Sequence, residues 1–86
     1  MTKLEEKLIE LGYIRTIKSY YNQYKKVYKK KVIIIEIHFH RNNEIVGYIG
    51  DCISTQQDID NLQQAFNTMQ KDLEVIKKYE IYNSNC

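Results

Sequence analysis

The stretch STQQDIDNLQQAFNTMQKDLEVIKKYE, residues 54–80, sets Ile59, Leu62, Phe66, Met69, Leu73 and Ile76 at alternating steps of three and four. Apolar residues at that spacing form one continuous stripe along a helix. No other feature restricts the fold as much, because such a rod must lay its stripe on a sheet or on another rod. The chain has 86 residues, 43% of them hydrophobic and 28% charged. That is one domain, residues 1–86, with one small core. At this size folding withdraws only roughly 60–65% of the unfolded chain's surface from water. The cover for the stripe therefore comes from the few segments upstream or from a second copy.

The best upstream candidate is KVIIIEIHFHR, residues 31–41. It is β-branched, and its period-two pattern puts Ile33, Ile35, Ile37 and Phe39 on one face. Val32, Ile34, Glu36, His38 and His40 share the other face, which turns from apolar to polar along the strand. A helix of about 25 residues spans roughly 37 Å, and a ten-residue strand about 33 Å. The expected packing lays the Ile59–Ile76 stripe across Ile33, Ile35, Ile37 and Phe39. The alternative shares the stripe with a second copy. Ser54 with Gln57, or Thr55 with Asp58, forms a capping box. Asp58 and Asp60 suit the positive helix end, and Lys77 and Lys78 the negative end. The helix is expected over about residues 55–79, with 81–86 a frayed tail.

TKLE at residues 2–5 is a second capping box; Leu4, Leu8 and Leu11 share a helical face, and Gly12 is the expected stop. Residues 13–30 read two ways, as a helical stripe through Ile14, Ile17, Tyr21, Tyr24 and Tyr28 or as a strand near 20–28. The strand is preferred, because five of the eight tyrosines lie here and tyrosine favours strands; residues 13–19 stay open between loop and helix. RNNE at 41–44 signals a tight turn. EIVGYIGDCIS, 44–54, returns as a strand whose register the sequence leaves open. The expected architecture is α+β, in the order α-β-β-β-α: a three-stranded antiparallel sheet covered on one face by the long C-terminal helix.

Net charge is only +2, but Arg15 to Lys31 holds seven basic residues and no acidic one. Cys52 and Cys86 make no disulfide framework, which suits a reducing cytoplasm. No stretch approaches the ~20 apolar residues of a membrane span, and the acidic, polar start does not read as a signal peptide.

Within the basic stretch, Tyr24, Lys25, Lys26, Tyr28, Lys29, Lys30 and Lys31 interleave aromatic rings with positive charge. Such a patch can grip an acidic protein. It can also neutralise phosphates and stack on bases, or it can be an edge strand guarded by lysines. Glu36, His38 and His40 alternate on one strand face, and Asp51 or Cys52 on the next strand could complete a metal site with them. The plainer reading is an exposed polar strand face, and no metal or other cofactor is expected. No nucleophile elbow, phosphate loop or catalytic carboxylate pair is visible, so no enzyme is expected.

The element order resembles that of the double-stranded-RNA-binding domain. That family carries a basic cluster at the start of its last helix and a histidine in the loop between its first two strands. Here the last helix opens with STQQDIDN and the histidines lie within the second strand, so the function is not carried over. The two helical segments, KLEEKLIELGY and STQQDIDNLQQAFNTMQKDLEVIKKY, are similar to small, functionally uncharacterised phage and prophage proteins of low-GC Gram-positive bacteria. That resemblance implies an accessory factor in the host cytoplasm that binds, and inhibits or redirects, one host protein of defence, replication or transcription. Anti-CRISPR proteins are one such class. A homodimer through an edge strand or the helix stripe is compatible with either partner.

Overall fold

Gly12 decides where the first helix stops. The helix α1, Lys3–Glu10, buries Leu4 and Leu8. At Gly12 φ is +104°, a conformation natural only to glycine. There Tyr13 N donates to Leu8 O at 3.0 Å and Gly12 N to Ile9 O at 3.0 Å. These are the paired closing bonds of a Schellman motif. The computed structural model describes residues 3–50 and 56–84; Thr2, Asp51, Cys52, Ser54, Thr55 and Cys86, invoked above, lie outside them.

Directly after Tyr13 the chain enters a strand, β1, Ile14–Ile17. Three more follow: β2 Asn22–Tyr28, β3 Lys31–His38 and β4 Glu44–Ile49. Among the described residues the sheet therefore has four strands, in the order β1-β2-β3-β4 and all antiparallel, where the sequence suggested three. Residues 14–17 are neither loop nor helix. Four residues are too few for periodicity to reveal, and their pairing with β2 decides their state. In consequence β2 is an interior strand, not an edge.

Both hairpin turns near β3 use left-handed backbone. Lys29 and Lys30 join β2 to β3 with φ of 50° and 65°, and Asn42 and Asn43 precede β4 with φ of 56° and 60°. The asparagines tolerate this region and the lysines do so at a cost. β3 ends at His38, and Phe39–Arg41 form a short 3-10 turn. Phe39 consequently leaves the core face and is 44% exposed, a correction to the four-residue ribbon expected there.

Registers fix two faces. Ile33 opposes Ile49, Ile35 opposes Gly47 and Ile37 opposes Ile45, while Tyr24 opposes Ile35 and Lys26 opposes Ile33. These residues form the inner face, under both helices. The core joins Leu4, Leu8, Tyr13, Tyr24, Ile33, Ile35 and Ile37 to Ala65, Met69 and Ile76.

The second helix, α2, runs Gln56–Ser84, past the end expected near residue 79. It lies on the sheet, but rolled from the predicted stripe. Its buried line runs through Ala65, Met69, Asp72 and Ile76, whereas Ile59 and Phe66 remain 44% and 45% exposed. Small Ala65 permits close approach, and Asp72 is drawn inward by two hydrogen-bonding partners described below. Leu73 and Met69 sit over Gly47, where an added Cβ would come within 3.2 Å of both.

Candidate functional site

The seven residues of the Lys/Tyr-rich segment do not form one surface. The register that packs β2 between β1 and β3 turns Tyr24, Lys26 and Tyr28 inward and Lys25 and Val27 outward. Tyr24 is fully buried, and its hydroxyl donates to Glu5 Oε2 at 2.9 Å. Lys26 Nζ donates to Asp72 Oδ2 at 3.1 Å and to Leu11 O at 3.0 Å. Tyr28 is half-buried against the core, Lys31 is buried, and Lys29 reaches Gln64 of α2. Lys25 and Lys30 remain on the outside. Tyr24 is thus too buried to stack on a base, the half-buried Lys26 has its charge committed to Asp72, and the patch is no edge.

Among the described residues, three tyrosine–carboxylate pairs join the elements. Tyr13 OH donates to Asp72 Oδ2 at 2.7 Å, tying the sheet's entry to α2. Arg15 Nη1 donates to Glu5 Oε2 at 2.7 Å beside the Tyr24 bond, tying α1 to β1 and β2. Burial, then the hydrogen bond to its carboxylate, pushes each of the Tyr13 and Tyr24 hydroxyls well above the ordinary phenol range.

The third pair sits on the opposite face. Glu36 accepts from Tyr48 OH at 2.6 Å, His38 Nε2 at 2.9 Å and Gln23 Nε2 at 3.2 Å. Burial opposes its ionisation, but the bonds from Tyr48, His38 and Gln23, with the His38 charge, outweigh it and hold the carboxyl below its usual value. The Tyr48 hydroxyl is raised, by its bond to Glu36 and then by burial. His38 also stacks on Tyr21 with centroids 4.8 Å apart. His40, carried away by the 3-10 turn, meets Tyr20 edge-on at 5.1 Å. The two histidines thus do not converge, and among the described residues no group of three or more His, Cys, Asp or Glu is placed to hold a metal.

The outer face divides into two halves. Thr16, Gln23, Glu36 and Val46 make one row and Tyr21's neighbour His38 the next, with Glu44 opposite it. Toward the other end lie the row Ile14, Lys25, Ile34, Tyr48 and the pair Val27, Val32. Both helices pack on the inner face, so neither covers this apolar half. Ile14 is 74% exposed and Val27 72%. Lys25 lies between them, and Lys30 follows at the hairpin tip.

A separate groove of about 540 Å³ runs between β4 and the first half of α2, with Ile49, Leu62, Phe66 and Met69 among its walls. No described helix is long and apolar enough to cross a membrane. The chain matches no protein-family model, no curated protein and no solved structure.

The sequence pointed to the outer strand face of Glu36 and His38, but missed Ile14 and Val27. The signal for Val27 was its parity with Lys25, legible once Tyr24 is taken as core. Ile14 had none, because β1 is too short to announce itself.

Proposed function

We propose that this chain is a non-enzymatic protein-binding module that docks an acidic protein surface on the apolar half of its outer sheet face. One observation carries the reading: Ile14, Val27 and Tyr48 stand exposed on a sheet face that neither helix covers, around Lys25 and close to Lys30. Contiguous apolar side chains rimmed by charge mark protein interaction surfaces. The cations there favour an acidic partner and speed its encounter. By resemblance of its two helices to phage and prophage proteins, the partner is a host protein that the module inhibits or redirects in the host cytoplasm.

The test compares wild type with Ile14→Asp and Val27→Asp as baits in a bacterial host lysate. The reading expects a protein of acidic isoelectric point that wild type retains, both variants release, and moderate salt weakens. Labelled DNA and RNA, titrated at two salt concentrations, serve as the competing probe. Tight nucleic-acid binding lost on removal of Lys25 and Lys30 would replace this reading with the nucleic-acid one.

A further inference from the structure

The edge strand β4 carries a second opportunity, along the flank of the sheet, where Tyr48 is shared with the face just described. Natural sheets guard their edges with lysine, proline, bulges or covering elements. β4, EIVGYI, has none of the first two, and its one charge is Glu44 at the start. The opposite edge, β1, is shorter and carries Arg15, already paired with Glu5.

The ladder phase of β4 is fixed. Gly50 N donates to Val32 O at 2.9 Å, and Tyr48 opposes Ile34 and Val46 opposes Glu36. In an antiparallel ladder the residues that face the partner strand alternate with those that face away. Residues 46, 48 and 50 therefore spend their backbone groups on β3. The N–H and C=O of Ile45, Gly47 and Ile49 point out of the sheet.

That row, which no described strand pairs with, is its own complement. An antiparallel copy centred on Gly47 sets Gly47 against Gly47 and Ile45 against Ile49 in both directions, each pair exchanging two hydrogen bonds. On the inner side it joins isoleucine to isoleucine, beneath the groove over which Ile59 and Phe66 hang half-exposed. On the outer side Val46 meets Tyr48, a β-branched residue beside an aromatic, a favourable cross-strand pair. Glu44 falls opposite Gly50, so no like charges meet. A two-fold interface needs one patch that fits itself, and this register provides it.

We infer that the chain forms a two-fold dimer through β4, joining two sheets into one of eight strands. The dimer sets two copies of the exposed outer face side by side. It does not depend on that face having a partner.

Sedimentation of the full chain at micromolar concentrations should report twice the 10.4 kDa of one chain. Phe66→Asp, at a position already half-exposed, should shift the mass toward the monomer while the circular dichroism stays unchanged. Register is read by cross-linking. In a background of Cys52→Ser and Cys86→Ser, Val46→Cys combined with Tyr48→Cys should oxidise to covalent dimers. Either cysteine alone, lacking its counterpart across the axis, should not. A wild-type chain that is monomeric throughout overturns the inference, whatever an acidic partner does. So does a dimer that the paired cysteines fail to trap, which would leave the α2 stripe as the contact. A monomer that binds extended peptides at β4 would assign the edge to another protein.

Discussion

Tyr13 and Asp72 stand 59 positions apart and meet in a 2.7 Å hydrogen bond inside the molecule. Lys26 joins the same carboxylate oxygen and lies 5.0 Å from the centre of the Tyr13 ring. A helix residue, a strand residue and the residue that ends the α1 cap thus share one buried polar contact, and it sets the roll of α2. Asp72→Ala leaves the Lys26 charge and the Tyr13 hydroxyl without their acceptor, and should cost about 3 kcal/mol. Glu74→Ala, on the exposed side of the same helix, should stay within about 0.5 kcal/mol. Urea midpoints at a common slope measure both.

Alkali should unfold the chain through Tyr13 and Tyr24. Their hydroxyls are raised in the folded state, so their stabilisation is complete below the unfolded phenol value near 10 and disappears as the pH climbs toward the folded values. Followed at the phenolate absorption band, at least two tyrosines should ionise only as circular dichroism is lost. Tyr24→Phe should flatten that alkaline limb.

Acid acts on Glu36 in the opposite sense. Its carboxyl is depressed in the folded state, so its contribution is complete above the unfolded carboxyl value and is lost as the pH falls through the folded one. Glu36→Gln should reduce stability at neutral pH by about 1 kcal/mol and should weaken the acid dependence between neutrality and pH ~3. Thermal melts across that range give the comparison.

The turn at Lys29 and Lys30 holds two non-glycine residues at positive φ. Lys30→Gly removes a steric penalty of about 1 kcal/mol and should raise the melting temperature. A fall in stability would mean that the Lys30 side chain contributes more than the backbone costs.

On the outer face, Ile14→Asp and Val27→Asp alter side chains that are mostly in water, so stability should change by no more than about 0.5 kcal/mol. Affinity for an acidic partner should fall at least tenfold, a loss of about 1.4 kcal/mol. Equal affinity in the variants, measured by calorimetry, would move the binding surface elsewhere.

Period and punctuation carried a good part of this fold. The run around Ile33, Ile35 and Ile37 alternates with period two, and Gly12 stops a helix in the only conformation that suits it. Both are local facts, and a linear chain states local facts openly. The α+β class follows from them together with the three-and-four spacing from Ile59 to Ile76, which announces the long closing helix. The basic run from Arg15 to Lys31 was equally plain to read, yet it misled about surface. Alternate residues of a strand take opposite faces, so an unbroken line of tyrosine and lysine in the chain is split in space.

What the tertiary structure alone decided depends on partners far apart in sequence. Ile14–Ile17 is a strand because β2 is there to pair with it, and that pairing moves β2 from the edge to the interior. The register of β4 follows from its hydrogen bonds to β3, which place Gly47 beneath Met69 and Leu73. The roll of α2 answers to Asp72, whose two donors come from Tyr13 and Lys26. Periodicity announces that a residue has an apolar side, but only long-range hydrogen bonds choose which way that side is turned.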